Sequence, residues 1–115
     1  MDDKVTTVLE LKDFVEDFVQ DRDWSQFHNA KNLSMALTIE AGELMDIFKW
    51  NTTDECDAKM SEKNTRQEAT DELADIMIYA IAFANRNNIN ISNAIDQKMV
   101  KNRMKYPSDK YKGHF

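Results

Sequence analysis

Four carboxylates are the residues of this sequence whose type and spacing best suit chemistry. Glu40 and Glu43 stand three positions apart, and Glu72 and Asp75 repeat that spacing further along the chain. If each pair lies on a helix, its two side chains project from one face. Each pair adjoins an apolar stripe, and no Lys or Arg stands three or four positions from any of the four. An unpaired buried carboxylate is costly, so these groups need a partner from elsewhere.

A divalent cation is the simplest partner for four carboxylates that two facing helices would gather. Carboxylates without thiolate or imidazole ligands suit hard cations, so we predict Mg²⁺ as the cofactor, with Mn²⁺ as a substitute. The single cysteine, Cys56, and the two histidines cannot assemble a thiol–histidine metal site. Neither histidine follows a glutamate by three positions, which argues against a di-iron bundle.

A simpler interpretation of the acidic pairs has to be weighed, because such pairs are common on solvated helix surfaces. The case for a site depends on two pairs on consecutive predicted helices, each beside an apolar stripe and without a local cation. Gly42 adds to it, because glycine inside a helix costs about 1 kcal/mol relative to alanine. Its place between Glu40 and Glu43 predicts close approach of a neighbour or a ligand. The alternative is a helix–helix contact alone.

The elements that position these carboxylates are predicted to be long helices. The 115 residues include only two glycines and one proline, which favours an all-α fold over a many-turned β fold. We predict one domain over residues 1–107, a four-helix bundle, followed by a polar tail at residues 108–115. The predicted helices span about Val5–Asp21, Asn29–Lys49, Asn64–Arg86, and Ser92 to the residue before Pro107. An aromatic connector (23–28), a polar loop with room for one helical turn (51–63) and a turn (85–90) join them.

Charge and hydropathy narrow the classes of function. The net charge of −6 makes the chain a poor binder of nucleic acid or of an anionic membrane. The N-terminus lacks the apolar core of a signal peptide, and the longest apolar run, Ile76–Ala84, is too short to span a bilayer. We therefore expect a soluble cytoplasmic protein. Because that run is apolar on all sides, it is expected to be central or to be covered by another subunit.

The carboxylate pairs and their neighbours resemble a known family. Glu40-Ala-Gly-Glu43 followed by Glu72-Leu-Ala-Asp75 is similar to the E-x-x-E and E-x-x-D pattern of the MazG-like nucleoside triphosphate pyrophosphohydrolases. Within roughly residues 8–107, further motifs are similar to the dCTP pyrophosphatase branch: Asp23–His28, Lys31–Leu33, Phe48–Trp50, Ile78–Tyr79 and Lys98–Pro107. The resemblance implies a helical bundle assembled as a homodimer or homotetramer, with the four carboxylates as metal ligands. It also implies Mg²⁺-dependent cleavage between the α and β phosphates of a nucleoside triphosphate, giving a monophosphate and pyrophosphate.

Hydrolysis of this kind also needs donors for the phosphates. Lys98 and Asn102 stand four positions apart on the last predicted helix, with Tyr106 one turn further, and form a row that could face phosphate. A solvated helix face is the alternative, and the resemblance supports Lys98 and Asn102 as substrate-binding residues.

The base of a nucleotide needs a flat apolar clamp, since base–aromatic stacking contributes about 1–3 kcal/mol per base. The candidates are Trp24, Phe27, Trp50 and Tyr79. Their alternative role is core or oligomer interface, although Trp24 and Trp50 stand at predicted helix ends, where a pocket mouth is expected. His28 and Asn32 are candidates for hydrogen bonds to the base or sugar.

These observations predict a metal-dependent pyrophosphohydrolase acting on dCTP or a modified pyrimidine deoxynucleotide, with a house-cleaning role. Metal binding would lower the pKa of a water molecule, and one carboxylate would take its proton, although the pattern does not say which one. Hydrolysis of dUTP or phosphoribosyl-ATP is the alternative within the superfamily. From another class, a non-catalytic helical module could bind a basic partner through its acidic pairs.

Overall fold

The computed structural model describes residues 1–115 and contains six α-helices and no strand. The helices are α1 (Val8–Asp21), α2 (Ala30–Phe48), α3 (Thr53–Met60), α4 (Lys63–Arg86), α5 (Ile91–Lys105) and α6 (Ser108–Tyr111). A short 3₁₀ helix, Trp24–Phe27, lies in the connector between α1 and α2. The predicted all-α class is therefore confirmed.

Capping boxes determine where two of the helices begin. At α1, Thr7 Oγ1 accepts a hydrogen bond from the Glu10 N–H at 3.1 Å, and the Glu10 carboxylate accepts one from the Thr7 N–H at 2.6 Å. The predicted start near Val5 was therefore too early. Thr52 and Glu55 form the same arrangement before α3. Because this box satisfies backbone donors at the start of a polar helix, the predicted loop at 51–63 contains a helix of eight residues.

The link between α4 and α5 is shorter than predicted. Helix α4 ends at Arg86, as predicted, and the turn predicted at 85–90 begins at Asn87. Asn88 takes a left-handed conformation, φ 53°, which reverses the chain. Helix α5 begins before the predicted start near Ser92, because Asn90 is its N-cap and the Asn90 side chain accepts a hydrogen bond from the Asn93 N–H at 2.9 Å. In the C-terminal segment, α6 places the Tyr111 ring edge-on to Tyr106 with centroids 5.2 Å apart.

The core lies where α1 and α2 pack against the second half of α4. Its buried members are Val15, Val19, Leu33, Ile81 and Ala82. Leu33 near the start of α2 packs against residues near the end of α4, whereas the middle of α2 lies beside the middle of α4. The two helices are therefore antiparallel, and their central turns face each other. This pairing positions the acidic residues described below.

Much apolar surface stays outside this core. Only 8 of the 115 residues are buried, and α5 contributes none of them. The predicted burial of the apolar run Ile76–Ala84 is confirmed for its second half, where Ile81, Ala82 and Ala84 are buried. In its first half, Met77 is 50% and Ile78 is 43% exposed. Cover of this exposed face by another subunit stays a prediction. No helix has both the length and the apolar character needed to cross a membrane.

Candidate metal and nucleotide site

Three carboxylates from two helices form one cluster. Glu40 and Glu43 are one turn apart on α2, and Glu72 lies on the facing turn of α4. Each offers one oxygen, and these oxygens all lie within 4.8 Å of one another. Glu40 and Glu72 are half-buried and Glu43 is exposed, so the cluster has a dry side and an open side. We call Glu40, Glu43 and Glu72 the carboxylate cluster.

No protein cation compensates this cluster. The one ion pair in the structure joins Lys49 to Asp46 and includes none of the three cluster carboxylates. The Glu72 Oε2 atom is buried and has no hydrogen-bond partner. A buried charged oxygen without a partner is costly, so the structure leaves this acceptor for a group outside the chain. Three oxygen ligands, one of them buried and unpartnered, fit a hard divalent cation.

The raised pKa values of Glu40 and Glu72 also fit a site for a divalent cation. Burial raises the pKa of Glu40 to about 7, with further contributions from a hydrogen bond and repulsion by Glu43 and from the charge of Asp75. Burial also raises the pKa of Glu72, again with Glu43 as the next cause. Without a cation, the cluster therefore keeps protons that isolated glutamates would lose, and a divalent cation would replace them. Asp75 is exposed and stands outside the 4.8 Å group, but its charge acts on both half-buried glutamates.

Gly42 does not touch a neighbouring element of its own chain. A Cβ atom built at this position would meet no heavy atom within 4 Å. The predicted close approach of a neighbour is therefore wrong within one chain. A ligand or a second chain remains the alternative for this glycine.

The predicted aromatic clamp is not assembled within one chain. Trp24 precedes α2 and Trp50 follows it. A helix of 19 residues is about 28 Å long at 1.5 Å per residue, which separates the two indoles by far more than a base can bridge. Trp24 is 43% exposed and lies edge-on to Phe18, with centroids 5.6 Å apart. Trp50 is 87% exposed and has only the Lys49 ammonium over its ring, 5.3 Å from the centroid.

The polar candidates beside the connector serve its backbone. The Asn32 side-chain amide donates to the Phe27 carbonyl at 3.0 Å. The His28 carbonyl accepts a hydrogen bond from Arg86 Nε at 2.9 Å, while the His28 imidazole has no hydrogen bond. His28 and Arg86 also line a cavity of about 220 Å³ together with Glu16, Val19, Ala82, Asn85 and Asn88. Arg86 was not among the predicted site residues, because an arginine in the last turn of a helix is common and carries no distinctive pattern.

The remaining candidates lie on α4 and α5. Tyr79 stands one turn after Asp75 and packs, half-buried, against the core. Lys98 is exposed at the edge of an apolar groove of about 440 Å³ between α4 and α5. The Asn102 amide lies 3.9 Å from the Met99 sulfur. Helix α5 is not among the helices that pack on α2, and neither Lys98 nor Asn102 bonds to the carboxylate cluster within one chain.

The carboxylate cluster lies within a segment that matches a known protein family. The chain belongs to the MazG-like family, whose model matches residues 35–114. Those residues include all of α4 and the part of α2 that carries Glu40 and Glu43.

Named relatives and a solved structure refine this assignment. The dCTP pyrophosphatase 1 of Rattus norvegicus is 35% identical over 101 residues, a match that covers 88% of this chain and 59% of the rat protein. The Homo sapiens protein of the same name is 35% identical over 102 residues, covering 89% and 60%. This chain thus spans about 59% of the length of the rat relative. A pyrophosphatase from Archaeoglobus fulgidus has a TM-score of 0.80 and 35% identity, and the match covers 85% of this chain and 90% of that one.

Proposed function

We propose that this chain is a Mg²⁺-dependent nucleoside triphosphate pyrophosphohydrolase, cleaving dCTP or a modified pyrimidine deoxynucleotide between its α and β phosphates. The observation that carries the proposal is the carboxylate cluster, with three oxygens within 4.8 Å and the unpartnered Glu72 Oε2. The substrate class is supported by the relatives named dCTP pyrophosphatase 1. We also propose residues 1–107 as the working unit and residues 108–115 as a tail; the family model covers residues 35–114 and therefore extends into this tail.

Each carboxylate has a proposed task in this reaction. Glu40, Glu43 and Glu72 hold the cation, and Asp75 completes the set from the edge of the cluster. When bound, Mg²⁺ supplies positive charge to the phosphate oxygens and makes a water molecule more acidic. One of these four carboxylates takes the proton of the attacking water through an oxygen that does not bind the cation. The buried side of the cluster keeps bulk water away from the Glu72 oxygen.

The substrate-binding residues are proposed to come from more than one chain. Trp24, His28 and Asn32 lie at one end of α2, and Trp50 lies at the other. In one chain these two groups cannot reach a single base, because α2 is about 28 Å long. A homodimer or homotetramer would bring Trp24, His28 and Asn32 of one protomer to the carboxylate cluster of another. The same assembly would bring Lys98 and Asn102 on α5 to that cluster. Tyr79, one turn beyond Asp75, would contact the nucleotide from the same chain as the cluster.

A substrate screen tests the proposed activity. The protein is incubated with dCTP, dUTP, the remaining deoxynucleoside triphosphates and phosphoribosyl-ATP, with Mg²⁺ or with EDTA. Released pyrophosphate and monophosphate are then measured. We expect release with dCTP that depends on Mg²⁺. A chain that releases no pyrophosphate from any of these substrates would be a binding module, and the proposal would be wrong.

A further inference from the structure

We propose that Arg86 is a positioning residue that holds the aromatic connector against α4. The connector is residues 23–28, which carry Trp24 and His28. The inference rests on the proposed function, which assigns Trp24 and His28 to nucleotide binding. It concerns how they are held in place and adds no group to the substrate contacts.

Burial alone does not hold the connector. None of the residues Trp24–Phe27 is buried. Its side-chain hydrogen bonds to α1 and α2 run from Gln20 to the Ser25 hydroxyl, at 2.9 Å, and from Asn32 to the Phe27 carbonyl, at 3.0 Å. The edge-on contact of Trp24 with Phe18 of α1 leaves Trp24 43% exposed. A segment with so little buried surface depends on its hydrogen bonds for a fixed position.

Arg86 provides the only hydrogen bond between the connector and α4. Its Nε donates to the His28 carbonyl at 2.9 Å across 58 sequence positions. Helix α4 contributes Ile81 and Ala82 to the buried core, so this bond ties the connector to a fixed part of the fold. A bond from a charged donor is stronger than a neutral one, which suits a contact at an exposed site. Arg86 itself is exposed, so its replacement leaves the hydrophobic core unchanged.

Two substitutions separate the hydrogen bond from the charge. In Arg86→Gln the side-chain amide nitrogen stands as many bonds from Cα as Arg Nε does, so a donor remains while the charge is lost. In Arg86→Met both are lost, and the side chain has about the same length as in Arg86→Gln. Arg66→Met is the matched control, because Arg66 is an exposed arginine on the same helix whose side chain makes no hydrogen bond.

Steady-state kinetics with dCTP and Mg²⁺ give the first readout. We expect Arg86→Met to raise KM about tenfold, equivalent to about 1.4 kcal/mol, with kcat changed less than about twofold. Arg86→Gln and Arg66→Met should stay close to the parent KM. Equal increases of KM in both Arg86 variants would show that the charge acts on the substrate directly, and the positioning role would be wrong.

Trp24 fluorescence gives a second readout that needs no turnover. In a Trp50→Phe background, Trp24 is the only indole, and acrylamide quenching reports its exposure. We expect stronger quenching in Arg86→Met and unchanged quenching in Arg86→Gln and Arg66→Met. Unchanged quenching in all three would overturn the positioning role. If the parent protein releases no pyrophosphate from any substrate, the proposed function fails, while the quenching comparison still decides whether Arg86 holds the connector.

Discussion

Glu40 on α2 and Glu72 on α4 each place a carboxylate oxygen within 4.8 Å of the other and of Glu43. Burial raises the pKa of both groups, to about 7 for Glu40. Protons and a divalent cation therefore compete for the same oxygens, since each relieves the same burial and repulsion. The first two predictions follow from this competition.

Without metal, the stability of the protein should fall as the pH rises from 5 to 8. The folded-state pKa of Glu40, about 7, lies above its ordinary value of 4.5. Between these values the folded chain keeps a proton that the unfolded chain has lost, so raising the pH favours unfolding. Thermal melting in EDTA should show a decrease of a few degrees in Tm across this window. In Glu40→Gln the decrease should be smaller, and an unchanged slope in that variant would contradict the assignment.

Removing one cluster charge should abolish metal binding and turnover together. We expect Glu72→Gln and Glu43→Gln to lower kcat with dCTP on the order of 100-fold or more, because charge stabilisation of this kind is worth that much. In the parent, Mg²⁺ at a hundredfold excess over Kd should stabilise by about 2.7 kcal/mol, which raises Tm by several degrees. Glu72→Gln should be at least as stable as the parent in EDTA but gain less from Mg²⁺. Glu68→Gln, an exposed position outside the cluster, is the control, and equal Mg²⁺ shifts in the parent and Glu72→Gln would remove Glu72 from the site.

Trp24 and the carboxylate cluster of one chain should serve different sites. Trp24→Ala should raise KM for dCTP about tenfold, a loss of about 1.4 kcal/mol that lies within the range for base stacking. Mixing it with inactive Glu72→Gln and allowing the chains to exchange should restore part of the low-substrate activity. In a mixed oligomer, the cluster of the first variant meets the intact Trp24 of the second. Absence of any recovery, with exchange verified by a mass tag, would argue that each chain works alone.

The protein should be at least a dimer in solution. Met77 and Ile78 are about half exposed on α4, and Ile95 and Met104 are 60% and 72% exposed on α5. Extensive exposed apolar surface is typical of an interface. Light scattering at micromolar concentration should give at least twice the mass of one chain. Met77→Lys together with Ile78→Lys should shift the protein towards a monomer, and a monomeric parent would contradict the prediction.

Gly42→Ala should stabilise the chain by about 1 kcal/mol, because it removes a helix penalty and meets no neighbour. Denaturant melts of the metal-free protein would measure the gain. If turnover falls while stability rises, a ligand or second chain uses the space beside Gly42. If both stability and turnover rise or stay level, the glycine has no part in the site.

The sequence predicted the helices and the carboxylates because both depend on local periodicity. Glu40 and Glu43 stand one helical turn apart, and the packing of α4 against α2 is enough to bring Glu72 to them. Helix α3 was missed because polar residues predict loops, although the Thr52 and Glu55 capping box was present in the sequence. Trp24 and Trp50 were grouped by residue type and by their places at predicted helix ends, and the length of α2 keeps them apart in one chain. Arg86 could not be predicted, because its hydrogen bond is made to a backbone carbonyl, which no residue type reveals.

The position of α5 has a consequence for hydrogen exchange. Since α5 contributes no buried residue, its amides in a lone chain are protected only by backbone hydrogen bonds and, at Asn93, by the Asn90 cap. Such helices open at little cost in free energy, whereas the amides around Leu33 and Ile81 exchange only when the core itself opens. Deuterium uptake along α5 would therefore be fast in dilute protein and slow at high concentration. The protection of this one helix would report assembly residue by residue, before any change in the core is detectable.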